Sequence, residues 1–60
     1  MEELDVLRGV LKDKIEVCRG KLKEYSGDSY PNAQIRLAFT FEIRAYEELL
    51  LDIDHLDPVD

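Results

Sequence analysis

The 60-residue sequence predicts an all-α protein: an antiparallel hairpin of two helices that pairs into a homodimeric four-helix bundle. Three observations predict this fold. Two long segments carry apolar residues at every third or fourth position, a short segment with Gly27 and Pro31 separates them, and both segments have apolar residues on more than one side. Spacing by three and four is the period of an α-helix and excludes a strand. We interpret the chain as one helical-hairpin domain.

The first helix is predicted over residues 2–25. Glu2 and Glu3 suit the positive end of the helix dipole. Gly27 is predicted to be the left-handed residue that often follows a helix end. The apolar stripe of this helix consists of Leu4, Leu7, Leu11, Ile15, Cys18, Leu22 and Tyr25.

A turn is predicted over residues 26–31, a second helix over 32–56 and a short acidic tail over 57–60. Pro31 suits the first position of a helix, and Asn32 is an alternative cap. The final DPVD ends the helix at or before Asp57. The second stripe consists of Ile35, Phe39, Tyr46, Leu49, Ile53 and Leu56.

The small size of the chain and its surplus apolar residues indicate self-association. A chain this short buries only about 60% of its unfolded surface and usually needs a disulfide, a metal or a partner. Cys18 is the only cysteine, so no disulfide forms within the chain, and we interpret it as a buried small hydrophobe. Apolar residues outside the two stripes indicate an interface between copies, most simply a dimer. The predicted self-association residues are Val6, Val10, Val17, Leu37, Phe41 and Leu51.

The net charge of −6 is concentrated in residues 31–60, which hold seven acids and two bases. We expect no nucleic-acid or membrane binding, because both require clustered Lys and Arg, and a basic protein surface is the natural partner. Acids near the end of the second helix oppose its dipole, which indicates a docking patch or a role in solubility. The predicted patch consists of Glu47, Glu48, Asp52, Asp54 and Asp57.

A cytoplasmic location is expected. The N-terminus is acidic, unlike that of a signal peptide, and no apolar run approaches the roughly 20 residues that span a bilayer. The lone cysteine is compatible with a reducing compartment.

Basic residues form a stripe along the first helix, interpreted as a solvated face or as partners for acids such as Glu47 or Glu48. Glu42 interrupts the second apolar stripe. We expect it to pair with Lys14, with Arg44 or with a second chain, although a functional carboxylate is the alternative. The basic stripe consists of Arg8, Lys12, Arg19 and Lys23.

A metal site would most simply use Asp52 and His55, which lie three positions apart on one helix face and resemble the Glu-x-x-His pair of di-iron bundles. Both point away from the main stripe, so we expect no metal and no cofactor. No catalytic arrangement of nucleophile and base is present in the sequence, and we expect no enzymatic activity.

Two glycines lie at matched positions in RGVLK, from Arg8, and RGKLK, from Arg19. Together Gly9 and Gly20 cost about 2 kcal/mol relative to alanine in a helix. They are either tolerated on a solvated face or allow another chain to approach closely.

These observations predict a small acidic protein–protein interaction module that self-associates and binds or occludes a partner protein. In size, charge and shape the chain is similar to small acidic helical factors that phages and mobile elements encode, some of them inhibitors of host proteins. The alternatives are a purely structural bundle subunit and a metal-binding helical bundle that uses Asp52, His55 and Glu42.

Overall fold

The computed structural model describes residues 2–58 and contains two α-helices, α1 (Glu2–Glu24) and α2 (Tyr30–Leu56). Arg8 contacts Asp54 while Cys18 contacts Glu42, so the two helices run in opposite directions. The hairpin is a rod of 44 × 16 × 15 Å. The prediction of an all-helical hairpin is therefore confirmed.

The interior is a single line of side chains between the helices. Leu11, Ile15 and Cys18 of α1 and Ile53 of α2 are the buried apolar residues in the described part of the chain. The rings of Tyr25 and Phe39 stack at the turn end, with centroids 6.5 Å apart. The other apolar side chains that face the partner helix are only half-buried, because each helix packs against one neighbour and leaves its flanks open to solvent. These half-buried residues are Leu4, Leu22, Tyr25, Ile35, Phe39, Ile43, Tyr46 and Leu50.

Three residues of the predicted stripes, Leu7, Leu49 and Leu56, do not lie in the interior, and for these the prediction is wrong. Leu7 is 44% exposed, and Arg8, the next residue, is only 9% exposed and takes its place against α2. Leu49 and Leu56 of the second stripe are also exposed. The end of α2 presents carboxylates and a backbone carbonyl, which a guanidinium can bind and a leucine cannot.

An arginine from α2 completes the C-terminus of α1. The Tyr25 N–H donates to the Lys21 carbonyl at 3.0 Å, which ends the helical ladder. The Nη1 atom of Arg36 then donates to the carbonyls of Tyr25, at 2.6 Å, and of Gly27, at 2.7 Å. No described residue has a positive φ, so the predicted left-handed Gly27 is wrong. Arg36 instead supplies a side-chain donor to two backbone carbonyls that follow the end of α1.

The N-terminus of α2 is capped by Ser29, whose Oγ accepts from the Asn32 N–H at 3.3 Å. The helix therefore begins at Tyr30, two residues before the predicted start at 32. Pro31 lies in the first turn, where the helix needs no N–H donor. A Cβ atom on Gly27 would lie 2.8 Å from Asn32 Nδ2, so this turn glycine provides space for a side chain.

Alanine at both helical glycines is expected to stabilise the protein. Apart from the adjoining backbone of its own helix, a Cβ atom at Gly9 or Gly20 would meet no other atom within 4 Å. We expect Gly9→Ala and Gly20→Ala each to raise the free energy of unfolding by about 1 kcal/mol, measured by chemical denaturation, with self-association retained. A double variant that keeps its helix content but no longer associates would show instead that the glycines admit a second chain.

Candidate functional site

A buried arginine joins the start of α1 to the end of α2. The Nε atom of Arg8 donates to Asp54 Oδ1 at 3.1 Å, and its Nη1 atom donates to Asp5 Oδ1 at 2.8 Å. Nη1 also lies 3.6 Å from Asp57 Oδ2, while Nη2 donates to the Asp57 carbonyl. The cation therefore lies at the negative end of the α2 dipole, among three carboxylates.

This cluster divides the predicted acidic patch. Asp54 and Asp57 contact Arg8, and Asp57 also caps α2 by donating its N–H to the Ile53 carbonyl at 2.8 Å. Glu47, Glu48 and Asp52 are exposed and contact no other described side chain through an ion pair or hydrogen bond. The acids that remain available to a partner are therefore these three, which lie at least one turn before the end of α2 at Leu56.

The predicted basic stripe is divided in the same way. Arg8 is buried between the helices, whereas Lys12, Arg19 and Lys23 are exposed. Lys12 and Arg19 line a shallow groove of about 320 Å³ together with Glu47. Lys12 and Arg19 therefore lie on the same side of the hairpin as Glu47, as predicted. Arg8 instead binds Asp54 and Asp57, which lie nearer the C-terminus of α2.

A larger groove, of about 430 Å³, lies on the other side of the hairpin. Val10 and Val17 form its apolar wall on α1, and Phe39 and Tyr46 form its wall on α2. Charged side chains of both helices also line it. We call it the valine groove, and its lining residues are Val10, Asp13, Lys14, Val17, Cys18, Lys21, Phe39, Glu42 and Tyr46.

The buried Cys18 thiol contacts Glu42 at this groove. Its Sγ donates to Glu42 Oε2 at 3.4 Å, so the partner of Glu42 is the thiol, where Lys14 or Arg44 was expected. Burial, and then the hydrogen bond and negative charge of Glu42, raise the pKa of Cys18 above its ordinary value. A protonated thiol is a weak nucleophile and a weak metal ligand. The structure therefore supports the interpretation of Cys18 as a packing residue.

The six predicted self-association residues are all exposed, but they lie on two different sides of the hairpin. Val6, Val10 and Val17 lie on the side of α1 that borders the valine groove, together with Leu7. By helical geometry the other three lie about 130–170° around α2 from the mean direction of the residues that face α1. These far-side residues are Leu37, Phe41 and Leu51.

The three candidate metal ligands do not converge within one chain. Glu42 precedes Asp52 by ten residues on α2, which separates them by about 15 Å along the axis. Asp52 and His55 are exposed. Within residues 2–58 no group of three or more His, Cys, Asp or Glu side chains is arranged to hold a metal ion.

Comparisons with protein-family models, with curated proteins and with solved structures found no match to this chain. Neither described helix has the combination of length and apolarity needed to cross a membrane.

The sequence contained a signal for the Arg8 cluster that periodicity alone did not use. Acids near the negative end of a helix dipole are unfavourable unless a cation lies among them. In an antiparallel hairpin of these lengths, Arg8 is level with Asp54, and Asp57 lies three residues further on. Matching acids with cations across the hairpin would therefore have identified this residue.

Replacing Arg8 is expected to destabilise the hairpin more than replacing an exposed arginine. Arg8→Met removes hydrogen bonds to Asp5, Asp54 and the Asp57 carbonyl, and we expect a loss of about 2 kcal/mol in the free energy of unfolding. Arg19→Met is the matched control, with an expected change within about 0.5 kcal/mol. Equal effects of the two substitutions in chemical denaturation would contradict a structural role for Arg8.

The Cys18 thiol is expected to titrate above its ordinary pKa and to react slowly. Since the folded-state pKa exceeds the unfolded value, the associated stability is complete below the unfolded pKa and is lost as pH rises through the folded pKa. Thiolate absorbance against pH measures the folded pKa directly. We expect Glu42→Gln to lower it while burial keeps it raised. A wild-type midpoint at or below the ordinary thiol value would contradict this environment.

Proposed function

We propose that this protein is a small acidic interaction module that self-associates through its apolar surface and binds a partner protein with a basic surface. The observation that carries the proposal is the extent of exposed apolar surface. Ten large apolar residues of the described chain are at least 43% exposed, whereas four apolar residues are buried. Patches of this kind on soluble proteins generally mark contact surfaces.

The solvent-accessible surface of the hairpin is large enough to include an interface of standard area. A compact monomer of 7.0 kDa would expose about 4,000 Å², whereas this hairpin exposes 4723 Å². The excess of about 700 Å² is close to the roughly 800 Å² that one protein contributes to a standard interface. Its radius of gyration, 14.0 Å, also exceeds the roughly 10 Å expected for a compact chain of 60 residues. Pairing two rods side by side would cover much of this excess.

The far side of α2 supports the second part of the proposal. Glu48 and Asp52 are exposed on the same helix as the far-side residues Leu37, Phe41 and Leu51. Helical geometry places the five side chains within about 100° of one another. An acidic surface that contains apolar side chains suits a partner whose basic residues surround an apolar contact, and opposite charge accelerates such encounters. Binding there would occlude the basic surface of the partner.

Self-association is tested by sedimentation equilibrium at chain concentrations from about 1 to about 100 μM. We expect a mass of about twice 7.0 kDa over most of this range. Val17→Lys places a charge among the exposed valines and is expected to shift the mass toward the monomer. A wild-type protein that is folded and monomeric at the highest concentration would contradict self-association.

Partner binding is tested by comparing proteins captured from a lysate by two variants of equal net charge. Glu48→Gln with Asp52→Asn alters the far side of α2, whereas Glu2→Gln with Asp28→Asn alters exposed acids elsewhere. We expect a partner retained by the wild type and the second variant to be lost from the first. Equal recovery by both variants would contradict the acidic surface as the binding site and favour a role of these acids in solubility.

A further inference from the structure

We propose that the groove side of the hairpin is covered by a second copy that points in the same direction, so that α1 of each copy packs against α2 of the other. The two-fold axis then runs along the rod, and neighbouring helices of the resulting four-helix bundle are all antiparallel. The inference rests on the proposed self-association and identifies its surface, its occupant and its orientation. The far side of α2 remains outside the contact.

Both helices expose large apolar residues on the groove side. On α1 these are Leu7 and three valines, as described above. On α2, the exposed Leu49 and Leu56 follow the groove residue Glu42 at intervals of seven, and each interval of two turns returns to nearly the same side, with a drift of about 20°. Six of the ten exposed large apolar residues of the described chain therefore share one side of the rod. A partner that covers this side contacts both helices.

The charges that line the groove differ in sign between its two walls. The α2 wall contributes only Glu42, whereas the α1 wall contributes Lys14 and Lys21 together with Asp13. Helical geometry places Asp13 about 80–100° around α1 from both lysines, at the outer edge of the groove. The basic wall is therefore complementary to the acidic wall, and a second copy of this chain presents both walls together.

Two symmetric arrangements place one groove side against the other, and charge selects between them. With the two-fold axis across the rod, each helix faces its own copy, so Glu42 meets an α2 surface without lysine. The two arginines of α2 lie elsewhere, since Arg36 binds the turn and Arg44 is about 160° around the helix from Glu42. With the axis along the rod, the lysines of α1 face Glu42 of the other copy.

An axis along the rod leaves no free register between the copies, because residues at one level within the hairpin are also level across the interface. Cys18 is level with Glu42, and Lys21 lies about 4.5 Å further toward the turn. Side chains lean toward the N-terminus of their own helix, so Lys21 and Glu42 of the other copy lean toward each other. Lys21 also pairs with Glu24 of its own chain at 3.1 Å, an exposed contact that is weak and easily exchanged.

The same register brings apolar residues together at the other end of the rod. Arg8 is level with Asp54, so Leu7 lies within about two residues of the level of Leu56. Both leucines are on the groove side, and Leu56 is 76% exposed in the single hairpin. Packing Leu7 of one copy against Leu56 of the other removes apolar surface from water twice per dimer.

A distance between spin labels at the turn tests the orientation. Asp28→Cys in a Cys18→Ala background provides one labelling site at the turn. Hairpins that point the same way place the two labels below about 25 Å, because packed helices lie about 10 Å apart. Hairpins that point in opposite directions place them about 40 Å apart, since the rod is 44 Å long. Electron paramagnetic resonance distance measurements distinguish the two, and the long distance would overturn the orientation.

Charge reversal with mixing tests the pair of Lys21 and Glu42 in chains that retain Cys18. Lys21→Glu and Glu42→Lys each bring like charges together twice in their own homodimer, and we expect each to raise the dimer dissociation constant about tenfold. A mixed dimer of the two restores both pairs. We expect it to associate about tenfold more tightly than the geometric mean of the two homodimers. Sedimentation velocity with one variant fluorescently labelled measures these constants.

Matched controls carry the same charge changes on the opposite side of α1. Lys23→Glu and Glu16→Lys lie about 140–170° around the helix from the groove side. We expect their mixed dimer to associate within about twofold of the geometric mean of the two homodimers, because net charge alone then acts. Circular dichroism of each variant checks that its helices are retained. Any loss of stability within one chain is present in both homodimer and mixed dimer, so recovery on mixing reports the contact between copies.

The outcomes separate this inference from the proposed function. A dimeric wild type whose turn labels lie about 40 Å apart, or whose variants of Lys21 and Glu42 show no gain on mixing beyond that of the controls, would overturn this arrangement while self-association stands. A wild type that is monomeric throughout would overturn self-association and this inference with it.

Discussion

At each end of the hairpin an arginine side chain forms hydrogen bonds to the other helix, and the alignment of the two helices depends on these contacts. Arg8 of α1 binds the last turn of α2, and Arg36 of α2 binds backbone carbonyls that directly follow α1. In each case a cation lies at the negative end of the other helix, where the dipole favours positive charge. Together the two contacts set the register that places Cys18 beside Glu42 and opens the valine groove.

The second constraint is that the hairpin is only two helices thick, which limits how many side chains it can bury. Two helices share one contact surface, so a two-helix rod buries a single line of side chains, here Leu11, Ile15, Cys18 and Ile53. A chain of this size is marginally stable alone, and this one leaves large apolar residues on two further sides. A partner that binds only the folded hairpin would stabilise it through mass action. The folding of the hairpin and the proposed self-association would then form one coupled equilibrium.

Sequence periodicity predicted the two helices and the hairpin because spacing by three and four is a strong local signal. The ends were less predictable, since contacts between distant residues decide them. Arg8 replaces Leu7 in the interior because the end of α2 offers oxygen acceptors. Gly27 has no positive φ, and Arg36 from the other helix donates to its carbonyl, a contact between distant residues that local sequence does not reveal. The exposed apolar residues were also recognisable in the sequence, but only the packed pair of helices shows that Val17 and Phe41 lie on different sides.

The most direct test of the coupling between folding and association is the thermal midpoint of the helical circular dichroism signal as a function of chain concentration. Mass action predicts that the midpoint rises by several degrees between about 2 and about 200 μM, because higher concentration favours the associated, folded state. A midpoint that is independent of concentration over that range, with a cooperative transition from a fully helical protein, would contradict the account.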